Sequence, residues 1–299
     1  MITGVLLALL ASLVYGFLGV TFEAAAKRNY APWDFIFWKQ LCGTILIFVI
    51  VAVRGDPLYR PDVLALGAIG ALSYVLTCVC YLIASRERDI SANWTILNMS
   101  VLVPLSVSIL WFGDKFTGTK AIGALLTLGA IVLIGGKPKV SGMTGASKWA
   151  SFIFGAFLLN GVLSALFRWV PDGCSFLFVA YFYAVSCLMA LPFKLRRKIT
   201  VTPTKGLLAW GAAGAFSHCT GMLLTIAALT VVGKVSQQAG VVVFPITNGF
   251  VIPLGVVLGA IILGQKIPAR NKAGVGLGMA GLVLLSLPDD FWHNLALPS

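Results

Sequence analysis

The chain has 299 residues, 59% of them apolar and only 11% charged, with a formal net charge of +12. A soluble domain carries roughly 25% charged residues, and no polar stretch here exceeds ~15 residues, short of the ~50 an extra domain needs. The composition therefore excludes a soluble domain and fits a polytopic helical membrane protein. The positive excess does not indicate nucleic acid, because the basic residues are spread over short loops with no interleaved aromatic motif.

A bilayer core of ~30 Å takes about 20 helical residues. By that measure ten spans follow one another, at about 3–24, 33–53, 63–83, 92–112, 119–136, 148–167, 175–193, 206–229, 235–263 and 270–288. The first opens without a basic leader, so a membrane helix is expected there rather than a cleaved signal. Pro32, Pro61 and Pro203 stand just before spans, where a missing backbone N–H costs little. The loops are short, so consecutive helices are expected to be neighbours. Cys42, Cys78, Cys80, Cys174, Cys187 and Cys219 lie in or beside apolar spans without metal-ligand spacing, and read as small apolar residues.

The fourth and fifth spans recur as the ninth and tenth. Residues 91–134 and 236–285 each hold a proline-interrupted apolar run, a Gly-x-Lys turn and a glycine-rich apolar run. A shift of 151 positions places Gly113 on Gly264, Lys115 on Lys266, Gly123 on Gly274 and Leu126 on Leu277. Tyr15-Gly16 in the first span likewise answers Asn160-Gly161 in the sixth. The expected fold is all-α: ten transmembrane helices as two five-helix repeats, residues 1–140 and 141–299. An odd number of spans per repeat inserts the two with opposite orientation, and the substrate of such carriers binds between the repeats near the midplane.

Loops on the amino-terminal side hold Arg54, Arg60, Lys115, Lys120, Arg168 and Lys234. The opposite loops hold fifteen cations, with the Lys194–Lys198 cluster prominent among them. The positive-inside rule then places both termini outside.

Tyr15-Gly16, Pro32 with Lys39 seven residues on, Arg86 followed by Ser91-Ala92, and the Gly113-Asp114-Lys115-Phe116-Thr117 turn are similar in order and spacing to the EamA-type pattern. On these residues the chain resembles the drug/metabolite transporter superfamily over essentially its whole length. The resemblance implies a ten-helix inverted-repeat carrier of small organic metabolites, often an exporter of amino acids. It also implies a central cavity lined mainly by spans 1, 3, 4, 6, 8 and 9. In two respects the chain departs from the pattern: Lys39 replaces the usual arginine, and the family's termini are usually drawn as cytoplasmic, against the charge count.

Polar groups inside spans are costly unless partnered or wet, so they are the first site candidates. In the fourth span Trp94 and Asn98 share a helix face ahead of Pro104, one to stack on a ligand and one to hydrogen-bond it. The ninth span carries Gln238 and Asn248 with Pro245 and Pro253, and at about 29 residues is expected to tilt, kink or break. Each proline frees a backbone carbonyl that a polar substrate could use; the bland alternative is a kinked helix whose amides bond its neighbours. His218 could couple transport to protons, or simply pack. Tyr15, Tyr74 and Asn160 offer further polar groups, each as readily packing as lining. Lys39 reads as a partner for a substrate carboxylate or, the favoured role, as a lysine snorkelling to the interface. Gly274 and Gly278, with Gly123 and Thr127, suit close scaffold packing.

No Asp or Glu falls at mid-membrane depth, which argues for neutral, zwitterionic or anionic cargo. The leading expectation is a secondary transporter of a small polar metabolite, an amino acid or similar solute, in a bacterial inner membrane. The alternatives are an exchanger of phosphorylated sugars or nucleotides, which needs more cavity cations, and a non-transporting scaffold or receptor. An intramembrane enzyme lacks a catalytic pair. There is no GxxxxGK[ST] loop for direct ATP drive and no paired histidines for haem, so no cofactor is expected. The expected partners are a small-molecule substrate, the bilayer and protons, but no nucleic acid. A monomer would suffice, with a homodimer as the alternative.

Overall fold

The computed structural model describes residues 1–87, 97–135, 143–195, 203–251 and 269–287, with 254, 257–258 and 261–262. Among them there is no strand, and ten α-helices have defined bounds. These are α1 (Ile2–Lys27), α2 (Pro32–Arg54), α3 (Pro61–Glu87), α4 (Leu102–Leu110, led in by a 3₁₀ turn at Met99–Val101), α5 (Gly118–Gly135), α6 (Met143–Leu166, followed by a 3₁₀ turn at Phe167–Trp169), α7 (Ser175–Leu195), α8 (Lys205–Gly233), α9 (Ala239–Gly249) and α10 (Ala269–Ser286).

Local chemistry sets several ends. Pro32 occupies the first turn of α2, and Gly55 at φ +68° closes that helix in the left-handed region. The Thr204 hydroxyl accepts from Leu207 N at 3.2 Å and caps α8. Pro104 has no N–H for the Ser100 carbonyl, and the chain there tightens into the 3₁₀ turn. The helix is interrupted at Phe250 and resumes at Val251, which puts the expected break of the ninth span there.

Six of the described helices are long and apolar enough to cross a membrane: α1, α2, α3, α6, α7 and α8. The other four run only 9, 18, 11 and 18 residues within their described bounds. Large exposed apolar side chains line the outer faces at helical spacing: Leu6, Leu10 and Leu13 on α1, Ile45, Val49 and Val53 on α2, and Phe154, Leu158 and Val162 on α6. Water would punish such a surface; lipid tails accept it.

The buried faces meet across the chain rather than along it. α1 packs on α8 as α3 packs on α6; α3 on α7 as α2 on α8; α1 on α9 as α4 on α6. α2 packs on α7, α5 on α10 and α4 on α9. Adding five to each helix number returns these nine pairs, while the contacts of α9 with α5, α8 and α10 and of α7 with α8 have no comparable counterpart among the described residues. Sequential neighbours are therefore not the main partners, contrary to what the short loops suggest: α1 and α2 barely touch, since each buries its apolar stripe against a helix beyond residue 140. The core is drawn from both sides of that point, with Ile47 and Val51 of α2, Phe178, Phe182 and Tyr183 of α7, Met222 and Val232 of α8, and Phe244 and Ile246 of α9.

Candidate functional site

α2 presents its inner face through Ile36, Lys39, Gly43, Ile47 and Val51, at intervals of three and four. Lys39 is thus on the stripe that packs against α7 and α8, and it is fully buried. Snorkelling would require it to leave through packed protein. The expectation of an interfacial Lys39 is overturned by the face the residue occupies, which its depth along the span does not reveal. Gly214 of α8 admits the lysine stem: a Cβ there would stand 3.3 Å from Lys39 Cδ. Gly43 makes room for a second group, since a Cβ would fall 2.1 Å from a ring carbon of Tyr183.

The ammonium ends in a polar cluster of the core. Lys39 Nζ donates to Gln40 Oε1 at 2.8 Å and lies 3.1 Å from His218 Nδ1. It stands over the Tyr74 ring at 5.0 Å and near the Tyr183 ring at 5.6 Å. His218 is ringed by Tyr15, Tyr74, Phe182 and Tyr183, with centroids between 5.6 and 6.2 Å away. The Tyr183 hydroxyl donates to Ala215 O at 3.1 Å, and Ser217 Oγ donates to Val14 O. Two buried groups, Gln40 Nε2 and the Tyr74 hydroxyl, have no hydrogen-bond partner among the described residues. The Cys78 thiol beside Tyr74 is a weak partner. The cluster takes side chains from α1, α2, α3, α7 and α8. The resemblance implied spans 1, 3 and 8 among the lining, but α2 and α7 supply the ammonium and a central tyrosine.

A second polar constellation lies at the end of the molecule that holds the amino terminus, where Gly4 packs on Val232 near the end of α8. The turn after α4 passes through Gly113 at φ +68°, a conformation glycine adopts freely. It points Asp114 at α9. Asp114 Oδ2 accepts from Gly240 N at 2.6 Å and Val241 N at 3.2 Å, and so caps the first turn of α9 from another segment. The same carboxylate receives Arg168 in two bonds of 3.2 and 3.1 Å. Arg168 also lies over the Phe112 ring at 4.3 Å, and Lys115 N donates to Gln237 O at 2.8 Å. Gly240 allows this approach: a Cβ there would sit 1.8 Å from Ser108 Oγ. This latch joins the α4–α5 turn to the end of α6 and the start of α9.

The structure brings together four of the residues singled out from the sequence: Lys39, Tyr74, His218 and Tyr15. Others lie apart. Asn160 Nδ2 donates to Ser100 Oγ at 2.7 Å and ties α6 to the 3₁₀ turn that Asn98 leads into. Asn248 bonds within its own helix, to Phe244 O at 3.3 Å. Gln238 is buried at the start of α9, beside the latch. Pro104 and Pro245 are buried inside α4 and α9, while Trp94 and Pro253 lie outside the described residues. Three groups escaped the sequence reading: Gln40, Tyr183 and Asp114. Gln40 was signalled by its place next to Lys39, and Asp114 by the glycine turn that carries it. An open groove lined by Leu102, Val107, Trp111 and Phe157 is on the apolar outer side of α4 and α6 and holds no such chemistry.

Comparison with known proteins gives the fold of the chain and a family match over part of it. A solved structure described only as a crystal structure of a protein aligns over 95% of this chain and 98% of its own, with TM-score 0.76 at 14% identity, a likeness of fold alone. No curated protein matches the chain. Residues 2–136 match the EamA-like transporter family, and over those residues the match agrees with the resemblance read from the sequence.

Proposed function

We propose that the protein is a secondary membrane transporter of a small polar metabolite, an amino acid or similar solute, working by alternating access. The observation that carries this reading is the Lys39–His218 cluster. It is a polar cluster around a buried ammonium, set where α1, α2 and α3 meet α7 and α8, inside a body whose outer faces are apolar. Buried ionisable groups in such a setting mark a substrate path. The pairing of helices that survives a shift of five supports two inverted five-helix repeats, residues 1–140 and 141–299, spanning the membrane ten times. The Asp114 latch then closes one end of the path, and alternating access requires it to open.

The cell membrane, and a bacterial inner membrane in particular, is the proposed location. His218 is the proposed proton relay, within reach of the ammonium it would exchange with. Phosphorylated cargo is the weaker reading, because Arg168, the other cation it would need, is tied to Asp114.

The test is uptake by liposomes holding the purified protein. Saturable exchange of one solute among amino acids, nucleosides and sugar phosphates, changed by a pH gradient, is the expected result. Liposomes that move none of them, with the protein folded, would refute the transporter reading.

A further inference from the structure

We infer that the cargo presents a single carboxylate, and that Lys39, Gln40, Tyr74 and His218 form the site that receives it. The inference rests on the transporter reading above and names the chemistry its central site selects.

The protein contains its own standard for a structural buried lysine. Lys120 is almost completely buried, and its ammonium donates to Leu285 O at 2.8 Å and Leu287 O at 2.5 Å, the carbonyl end of α10. That is a full answer to a buried cation, because helix-end carbonyls carry partial negative charge. Lys39 has none of this. Its partners are a neutral amide oxygen, an imidazole nitrogen and two ring faces, and no carboxylate pairs with it among the described residues. Around it the donors outnumber the acceptors. Gln40 Nε2 is buried without a partner among the described residues, and the Tyr74 hydroxyl has only the weak Cys78 thiol beside it. When His218 Nδ1 accepts from the ammonium, the imidazole proton sits on Nε2, which makes the ring a further donor. A site of one cation with the uncharged Gln40 and Tyr74 donors beside it is complementary to an acceptor with one negative charge.

A carboxylate fits this description and a phosphate monoester does not. The carboxylate has one charge and two oxygens, matched by the Lys39 ammonium with the Gln40 amide and the Tyr74 hydroxyl. A phosphate near neutral pH carries close to two charges, and among the described residues no second cation joins the site, Arg168 being held by Asp114. The ring faces of Tyr15, Tyr183 and Phe182 remain for the apolar or ammonium part of the solute. Binding would exchange the His218 contact of Lys39 for the carboxylate.

The experiment measures uptake of each free amino acid and the corresponding short 2-oxo acids, and competition by the matching carboxamides, decarboxylated amines and glucose 6-phosphate. The transported solute is expected to carry a carboxylate. Its carboxamide and amine should compete at least about tenfold more weakly, as expected for loss of a charge-assisted hydrogen bond. Lys39→Met should raise KM by about ten- to a hundredfold, with Lys39→Arg recovering part of it. Gln40→Glu separates binding from folding. It places a carboxylate beside the ammonium, so the protein should keep or raise its melting temperature while KM rises at least about tenfold. Transport of a solute without a carboxylate, of a phosphate ester, or with a KM unchanged in Gln40→Glu would overturn the carboxylate site while leaving the transporter reading intact. Absence of all flux would refute both.

Discussion

Asp114 accepts from Arg168 on two nitrogens and from the backbone of Gly240 and Val241, so its side chain answers both a cation and a helix end. Breaking a buried ion pair by removing one partner costs about 3–5 kcal/mol; the partial exposure of Arg168 puts Asp114→Asn near the lower figure, about 3 kcal/mol. A fall in melting temperature in detergent would register it. The double exchange Asp114→Arg with Arg168→Asp discriminates further. An ordinary ion pair is restored by reversal, but Arg at 114 cannot accept from the two N–H groups of α9, so the swapped protein should melt no higher than Asp114→Asn. At this scale the sequence revealed which residues were chemically unusual and not where they pointed. Lys39 stood out as a cation in a span, yet its depth suggested the interface, and only the face shared with Ile36 and Gly43 turns it inward. Asp114 looked like a loop acid because its partners stand 54 and 126 residues away. Trp94 and Asn98 attracted attention through their spacing, but spacing says nothing of what lies opposite.

At the scale of helices, glycine decides who touches whom. On α5 a Cβ at Gly123 would meet Gly281 O at 3.0 Å, and one at Gly281 would meet Gly123 O at 2.8 Å, so the two backbones are nearly in contact. Thr127 Oγ1 bonds back to Gly123 O at 2.9 Å, and a Cβ at Gly281 would meet the threonine oxygen at 2.8 Å as well. Gly274 and Gly278 are buried on α10, as the sequence reading expected of a scaffold pair, but the measured close approach falls at Gly281. Gly281→Leu should part α5 from α10 and cut the yield of folded protein. Transport per folded molecule should stay within about twofold, because neither helix reaches the Lys39 cluster; a KM shift of tenfold would contradict that separation. Helix existence was legible because long apolar runs admit one reading. Helix partners were not, because an apolar stripe does not say which other stripe it meets, and here it skipped the neighbour in sequence.

For the molecule as a whole, the latch and the central cluster make a joint prediction. Cys219 follows His218 on α8 and is buried. In a variant keeping this cysteine alone, a membrane-impermeant thiol reagent applied from the amino-terminal side should react slowly. Adding Asp114→Asn should speed labelling from that side by about tenfold and leave the opposite side unchanged, if the latch contributes even ~1.4 kcal/mol to keeping that end shut. Equal rates on both faces would show that the latch only holds the turn in place. The side that reacts also reports which face of the membrane the termini occupy, where the charge count and the family habit disagree.

In the proposed repeat the 151-residue shift puts the neutral Gln265 at the position of the charged Asp114. Two ends closed by unequal forces give a carrier a preferred resting direction. Such a carrier shows different half-saturation concentrations on its two faces, although at equilibrium it can concentrate nothing without a gradient. The face opposite the latch would be the one at which solute is captured from dilute solution, and the latched face the one at which it is released.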